Sequence, residues 1–176
     1  MAKNLAIEVL GFGYNNNNNN NNTKIEGENI IYRVNVKLHS SSVITDHPYL
    51  VISENINELQ SSTPSSPIDL FVVRDFQKVD NTLKRKVKSG MGLEVNLANV
   101  RKMTGWQVGK WLNQIRKLYK FCKTSNCQFV FSSGASSVLE MISGPSLDAI
   151  LKICDIEPES YWLELGDWID SKCHRR

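Results

Sequence analysis

The segment Gln128–Pro145 reads QFVFSSGASSVLEMISGP. After Gln128, its next three residues, Phe129, Val130 and Phe131, form a short aromatic and β-branched run without clean in/out alternation. That is the pattern of a strand buried on both faces of a parallel sheet. The run stops at Ser132-Ser133-Gly134, and a proline-led, helix-like pattern follows. Strand, small polar corner, then helix is the repeating unit of an α/β domain. Three uses fit such a corner: placing a nucleophile, cradling a phosphate, or turning the chain.

Working outward, the same punctuation recurs. Strands are expected at LAIEVL (5–10), IIYRVNVKL (30–38), YLVIS (49–53), DLFVV (69–73) and LEVNL (93–97), bounded by Gly, Pro, Ser or Asp. The clearest helix is Gly105 to Lys123, in which Val108, Trp111, Leu112, Ile115, Leu118, Tyr119 and Cys122 share one apolar stripe. Lys110, Asn113, Gln114, Lys117 and Lys120 fall on the opposite side, with Arg116 and Lys123 at its borders and Thr104 as the N-cap. A second helix is read from about Ser146 through LDAILKICDI, with Pro145 in its first turn and Ser143 as a cap. A third runs from Pro158 to Cys173 on an apolar face of Trp162, Leu165, Trp168 and Ile169. The asparagine tract at 15–22 and SSTPSSP at 61–67 read as loops, and the chain reads as a single domain over residues 1–176.

Charge is strongly polarised along the chain. Residues 81–123 hold eleven Lys/Arg against one acid, Glu94, while the segments on either side are mildly acidic. Ordinary surfaces mix both signs, so this block points to a polyanion. The candidate contacts are Lys84, Arg85, Lys86, Lys88, Arg101, Lys102, Lys110, Lys117 and Lys120. No RNP-type aromatic pattern, GxxG loop or zinc knuckle accompanies them, so backbone contact is expected rather than base readout.

Other chemistries find little support. Cys122, Cys127, Cys154 and Cys173 form no C-x-x-C pair and lack a histidine at ligand spacing, so no metal site is expected, and in the cytoplasmic setting that the N-terminus suggests they read as reduced thiols. The N-terminal MAKNLAIEVLGFGY has no signal-peptide pattern, and no window of about 18 apolar residues predicts a membrane span. Ser132 and Ser133 lack the Gly-x-Ser-x-Gly setting of a hydrolase nucleophile, and no catalytic residue is expected. Ser132, Ser133 and Gly134 remain candidates for a phosphate contact at a strand end.

In order and spacing, IDLFVVRDFQKVDNTLKRKVKS, GMGLEVNLANVRK, the basic helix, QFVFSSGASSVLEMISGPSLDAILKICDI and the last helix resemble the ribonuclease P protein component three family. This is the archaeal counterpart of the eukaryotic thirty-kilodalton subunit. Ser132, Ser133, Gly134, Ala135, Glu140, Pro145, Asp148, Leu151 and Ile156 sit at the family's pattern positions, as do Leu93, Glu94, Asn96 and Leu97 in the preceding strand. The chain departs from the family at Ile142 and Ser146, where arginines often flank the proline.

The resemblance implies a TIM-barrel-like (β/α) fold. Helices would be missing or shortened in the N-terminal half, because roughly 22 residues per unit are too few for eight full units. It further implies a non-catalytic subunit that binds ribonuclease P RNA together with component two and other protein subunits. That assembly removes the 5′ leader from precursor tRNA, with Mg²⁺ held by the RNA and no cofactor on the protein. Two other readings stand beside it. One is a small barrel enzyme binding a phosphorylated metabolite at the Ser132–Gly134 rim; the other is a scaffold whose basic block docks an acidic protein.

Overall fold

The computed structural model describes residues 52–53, 68–74, 84–134, 140 and 142–173. The strands expected at 5–10 and 30–38, the asparagine tract, the 61–67 loop and all three histidines lie outside them. The single domain expected over 1–176 extends beyond them.

Four strands carry the fold: β1 (Ile52–Ser53), β2 (Leu70–Val72), β3 (Gly92–Asn96) and β4 (Gln128–Ser132). Three helices accompany them: α1 (Gly105–Thr124), α2 (Gly144–Ile153) and α3 (Pro158–Cys173), with short helical turns at Lys84–Lys86 and Leu97–Asn99. The strands pair in parallel, in chain order β1-β2-β3-β4. This is the α/β class read from the sequence. Asn96 pairs with Ser132, so β3 and β4 finish level at their carboxyl ends.

Period-two alternation puts Leu93, Val95, Phe129 and Phe131 on one face of the sheet and Leu70, Val72, Glu94, Val130 and Ser132 on the other. The first face meets the helices. Trp111 lies 6.0 Å from Phe131, Tyr119 meets Phe129 edge-on at 5.9 Å, and Tyr161 lies 6.1 Å from Phe129, ring to ring. The second face is buried as well. Burial on both sides is why DLFVV and QFVF show no alternation.

Helix α1 follows its sequence pattern closely. Trp111, Ile115, Leu118 and Cys122 are buried, with Val108, Leu112 and Tyr119 partly covered. Each large apolar side chain so buried contributes about 1.5–3 kcal/mol. At its start, Gln107 Oε1 accepts from Thr104 N at 2.8 Å and from Thr104 Oγ1 at 3.0 Å, the reach-back half of a capping box.

Helix α2 starts at Gly144 rather than Ser146 and stops at Ile153 rather than Ile156. Asp155 adopts φ 60°, a left-handed stop usually made by glycine. Ile156 N donates to Leu151 O at 3.0 Å and Asp155 N to Lys152 O at 3.0 Å, the two bonds of a Schellman motif. With no glycine to mark it, the stop was hidden in the sequence.

Helix α3 has the expected bounds, but its anchor is Tyr161, fully buried, where the sequence pattern pointed to the partly covered Trp162. Gln128 N donates to Met91 O at 2.7 Å, so alternation along β4 turns the Phe131 N–H to the opposite edge. There Tyr161 Oη accepts it at 2.8 Å, where a further strand would otherwise pair. Tyr161→Phe is expected to leave that buried N–H unsatisfied and to cost about 1–3 kcal/mol in urea unfolding. A Tyr161→Phe variant as stable as the parent would show that the N–H has another partner.

Candidate nucleic-acid interface

The basic block divides according to what the rest of the fold does with each cation. Helix α1 carries Lys110, Arg116, Lys117, Lys120 and Lys123 and no acid. The two at the borders of its stripe are neutralised. Arg116 Nε pairs with Asp155 Oδ2 at 2.8 Å and its guanidinium also bonds Ile153 O, while Lys123 pairs with Glu164 and sits 5.4 Å over the Tyr119 ring. Lys110, Lys117 and Lys120 are exposed and make no ion pair among the described residues. Among the described residues, the outward face of α1 is therefore positive and uncompensated.

The remaining candidates fall on two opposite edges of the sheet. Lys84, Arg85, Lys86 and Lys88 precede β3, at its amino end. The turn that follows them is tied to the start of β4 by Gly90 N to Asn126 O at 2.7 Å and Asn126 Nδ2 to Ser89 Oγ at 2.7 Å. Arg85 and Lys88 are exposed and Lys86 is partly covered. Arg101 and Lys102 follow β3, a strand length of about 16 Å away. Both are exposed, but Arg101 is engaged with Glu140, through an ion pair at 3.5 Å and a bond to its carbonyl. Helix α1 runs about 30 Å back from the carboxyl edge to the amino edge. Its lysines thus lie between the two groups along the strand direction.

The Ser-Ser-Gly corner has a different character. Ser132 and Ser133 are fully buried, and Ser132 Oγ donates to Glu94 Oε1 at 2.6 Å across the β3–β4 pair. Gly134 has φ 58°, and a Cβ there would lie 1.6 Å from Asn96 Oδ1. Asn96 Oδ1 in turn accepts from Ala98 N at 2.8 Å, capping the Leu97–Asn99 turn. Ser132 and Gly134 lock the exit of β4 onto β3. A buried hydroxyl already donated to Glu94 is not free to donate to a phosphate. Among the described residues no group of three or more His, Cys, Asp or Glu gathers as a metal set. Burial pushes the Cys127 and Cys154 thiols up to about 11, which keeps them protonated and inert at neutral pH.

Sequence reasoning missed Trp106. It is 73% exposed, the most exposed of the large hydrophobic side chains among the described residues, and it stands on the lysine side of α1. Its spacing of four from Lys110 was the available signal.

Comparison of the chain with protein-family models, with curated proteins and with solved structures gives no match.

Proposed function

We propose that this chain is a protein subunit of ribonuclease P that supports the catalytic RNA in removing the 5′ leader from precursor tRNA. The observation that carries the reading is the uncompensated α1 face. A row of exposed lysines without acids neutralises phosphates, lowers repulsion between two RNAs and reduces the Mg²⁺ the RNA fold requires. Sequence order and spacing from residue 68 onward supply the family resemblance. The fold is compatible with it: parallel strands adjacent in chain order, buried on both faces, are what part of a (β/α) barrel would present. On this reading the protein works in the cytoplasm, pairs with component two and other protein subunits, and leaves Mg²⁺ to the RNA. Among the described residues no helix is long and apolar enough to cross a membrane.

The metabolite-binding alternative draws less support, because the hydroxyl of Ser132 is committed to Glu94 and both rim serines are buried. The deciding experiment is reconstitution of ribonuclease P RNA with its other protein subunits, with and without this chain, at low Mg²⁺. Omission is expected to lower precursor-tRNA cleavage, and addition to restore it. Cleavage indifferent to the chain, together with no RNA binding at low salt, would sink the assignment.

A further inference from the structure

Helix α1 presents one outward row, Trp106, Lys110, Asn113, Lys117 and Lys120, spaced by four, three, four and three residues. All five are exposed. The row is about 21 Å long. A tryptophan exposed at 73% is costly in water, and among the described residues no ring contact or hydrogen bond engages it. Its charge setting narrows the partner. Three lysines without an ion pair among the described residues, on a helix with no acid, complement a phosphate chain.

Resting on the RNA reading, we propose that this row is a single-strand RNA site, in which Trp106 stacks an unpaired base and Lys110, Lys117 and Lys120 hold the phosphates beyond it. An aromatic face with a line of cations is how proteins grip unpaired strands without reading sequence, and about 21 Å suits a site of roughly four nucleotides or more. A duplex keeps its bases stacked inside and offers Trp106 no face to join. The row should therefore distinguish single-stranded from paired RNA, which lysines alone do not.

The test titrates the full-length chain with an oligoadenylate of about 12 nucleotides and with an RNA duplex of the same phosphate count, following tryptophan fluorescence and affinity. Trp111 is buried and Trp162 and Trp168 are partly covered, so quenching reports mainly on Trp106. The expected result is quenching by the single strand only. Trp106→Ala should cost about 10-fold or more in single-strand affinity, leave duplex affinity unchanged, and leave the salt dependence of both unchanged; Trp106→Phe should restore most of the loss. Equal loss on both RNAs, or no loss on either, overturns the stacking role while leaving RNA binding intact. Loss confined to binding of another protein subunit overturns it in favour of a protein interface. Wild-type protein that binds neither RNA at low salt overturns this proposal and the functional reading together.

Discussion

Replacing Lys110, Lys117 and Lys120 together by glutamate is expected to weaken RNA binding about 10³-fold near 50 mM salt and to leave the fold intact. Each lysine that neutralises a phosphate adds about 0.7 to 0.9 to the steepness of log K against log salt, the low value for single strands. Losing three contacts should flatten that slope by about 2 to 3, which extrapolated from 1 M to about 50 mM gives the thousandfold loss. Stability should barely move, because the three side chains are exposed and make no ion pair among the described residues.

The contrast lies with Arg116 and Lys123, on the borders of the same helix. Reversing those breaks pairs with Asp155 and Glu164, and for Arg116 a bond to Ile153 O as well, costing about 1 kcal/mol or somewhat more each, and should change RNA affinity far less. A triple reversal that binds RNA as the parent does, with the same salt slope, would remove α1 from the interface. The exposed cations at the amino edge, Arg85 and Lys88, would then be next in line.

What could be read in the sequence follows from how local the signal was. Helix α1 was legible almost residue by residue because its stripe and the threonine that precedes it are written within a few positions. β2, β3 and β4 were legible because strands buried on both faces are dense in apolar residues. The end of α2 was not, since Asp155 takes a conformation that only tertiary context, including its partner Arg116, makes worthwhile. Tyr161 was passed over for Trp162 although it sits four residues before Leu165. What singles it out is the Phe131 N–H it accepts from 30 residues away. The charged block was visible as a count, but the count could not say which cations the fold neutralises. That sorting depends on Asp155, Glu164 and Glu140, which lie 39 to 41 residues away from their partners in sequence and come close only through packing. The rim serines illustrate the opposite failure. Ser-Ser-Gly looks like an anion cradle until Glu94 is found opposite it.

Gly134→Ala is expected to be the most destabilising single substitution at that rim. An alanine at φ 58° costs about 1–2 kcal/mol from its left-handed backbone alone. Its Cβ would also coincide with the Asn96 carboxamide, so Asn96 must leave the Ala98 N–H it caps, at a further ~1 kcal/mol or more. Together these predict a loss of about 2–4 kcal/mol, or a melting temperature lower by about 10 °C. The two costs separate in a double-mutant cycle. In an Asn96→Ala background the collision is gone and only the backbone cost remains, so Gly134→Ala should there cost about half as much. Strict additivity, or a neutral Gly134→Ala, would show that the corner is not held as described. The same variant also divides the functional readings. Below its melting point it keeps α1 and its lysines, so the RNA reading expects unchanged affinity. A phosphate site built from Ser132, Ser133 and Gly134 would instead lose its ligand as the corner shifts.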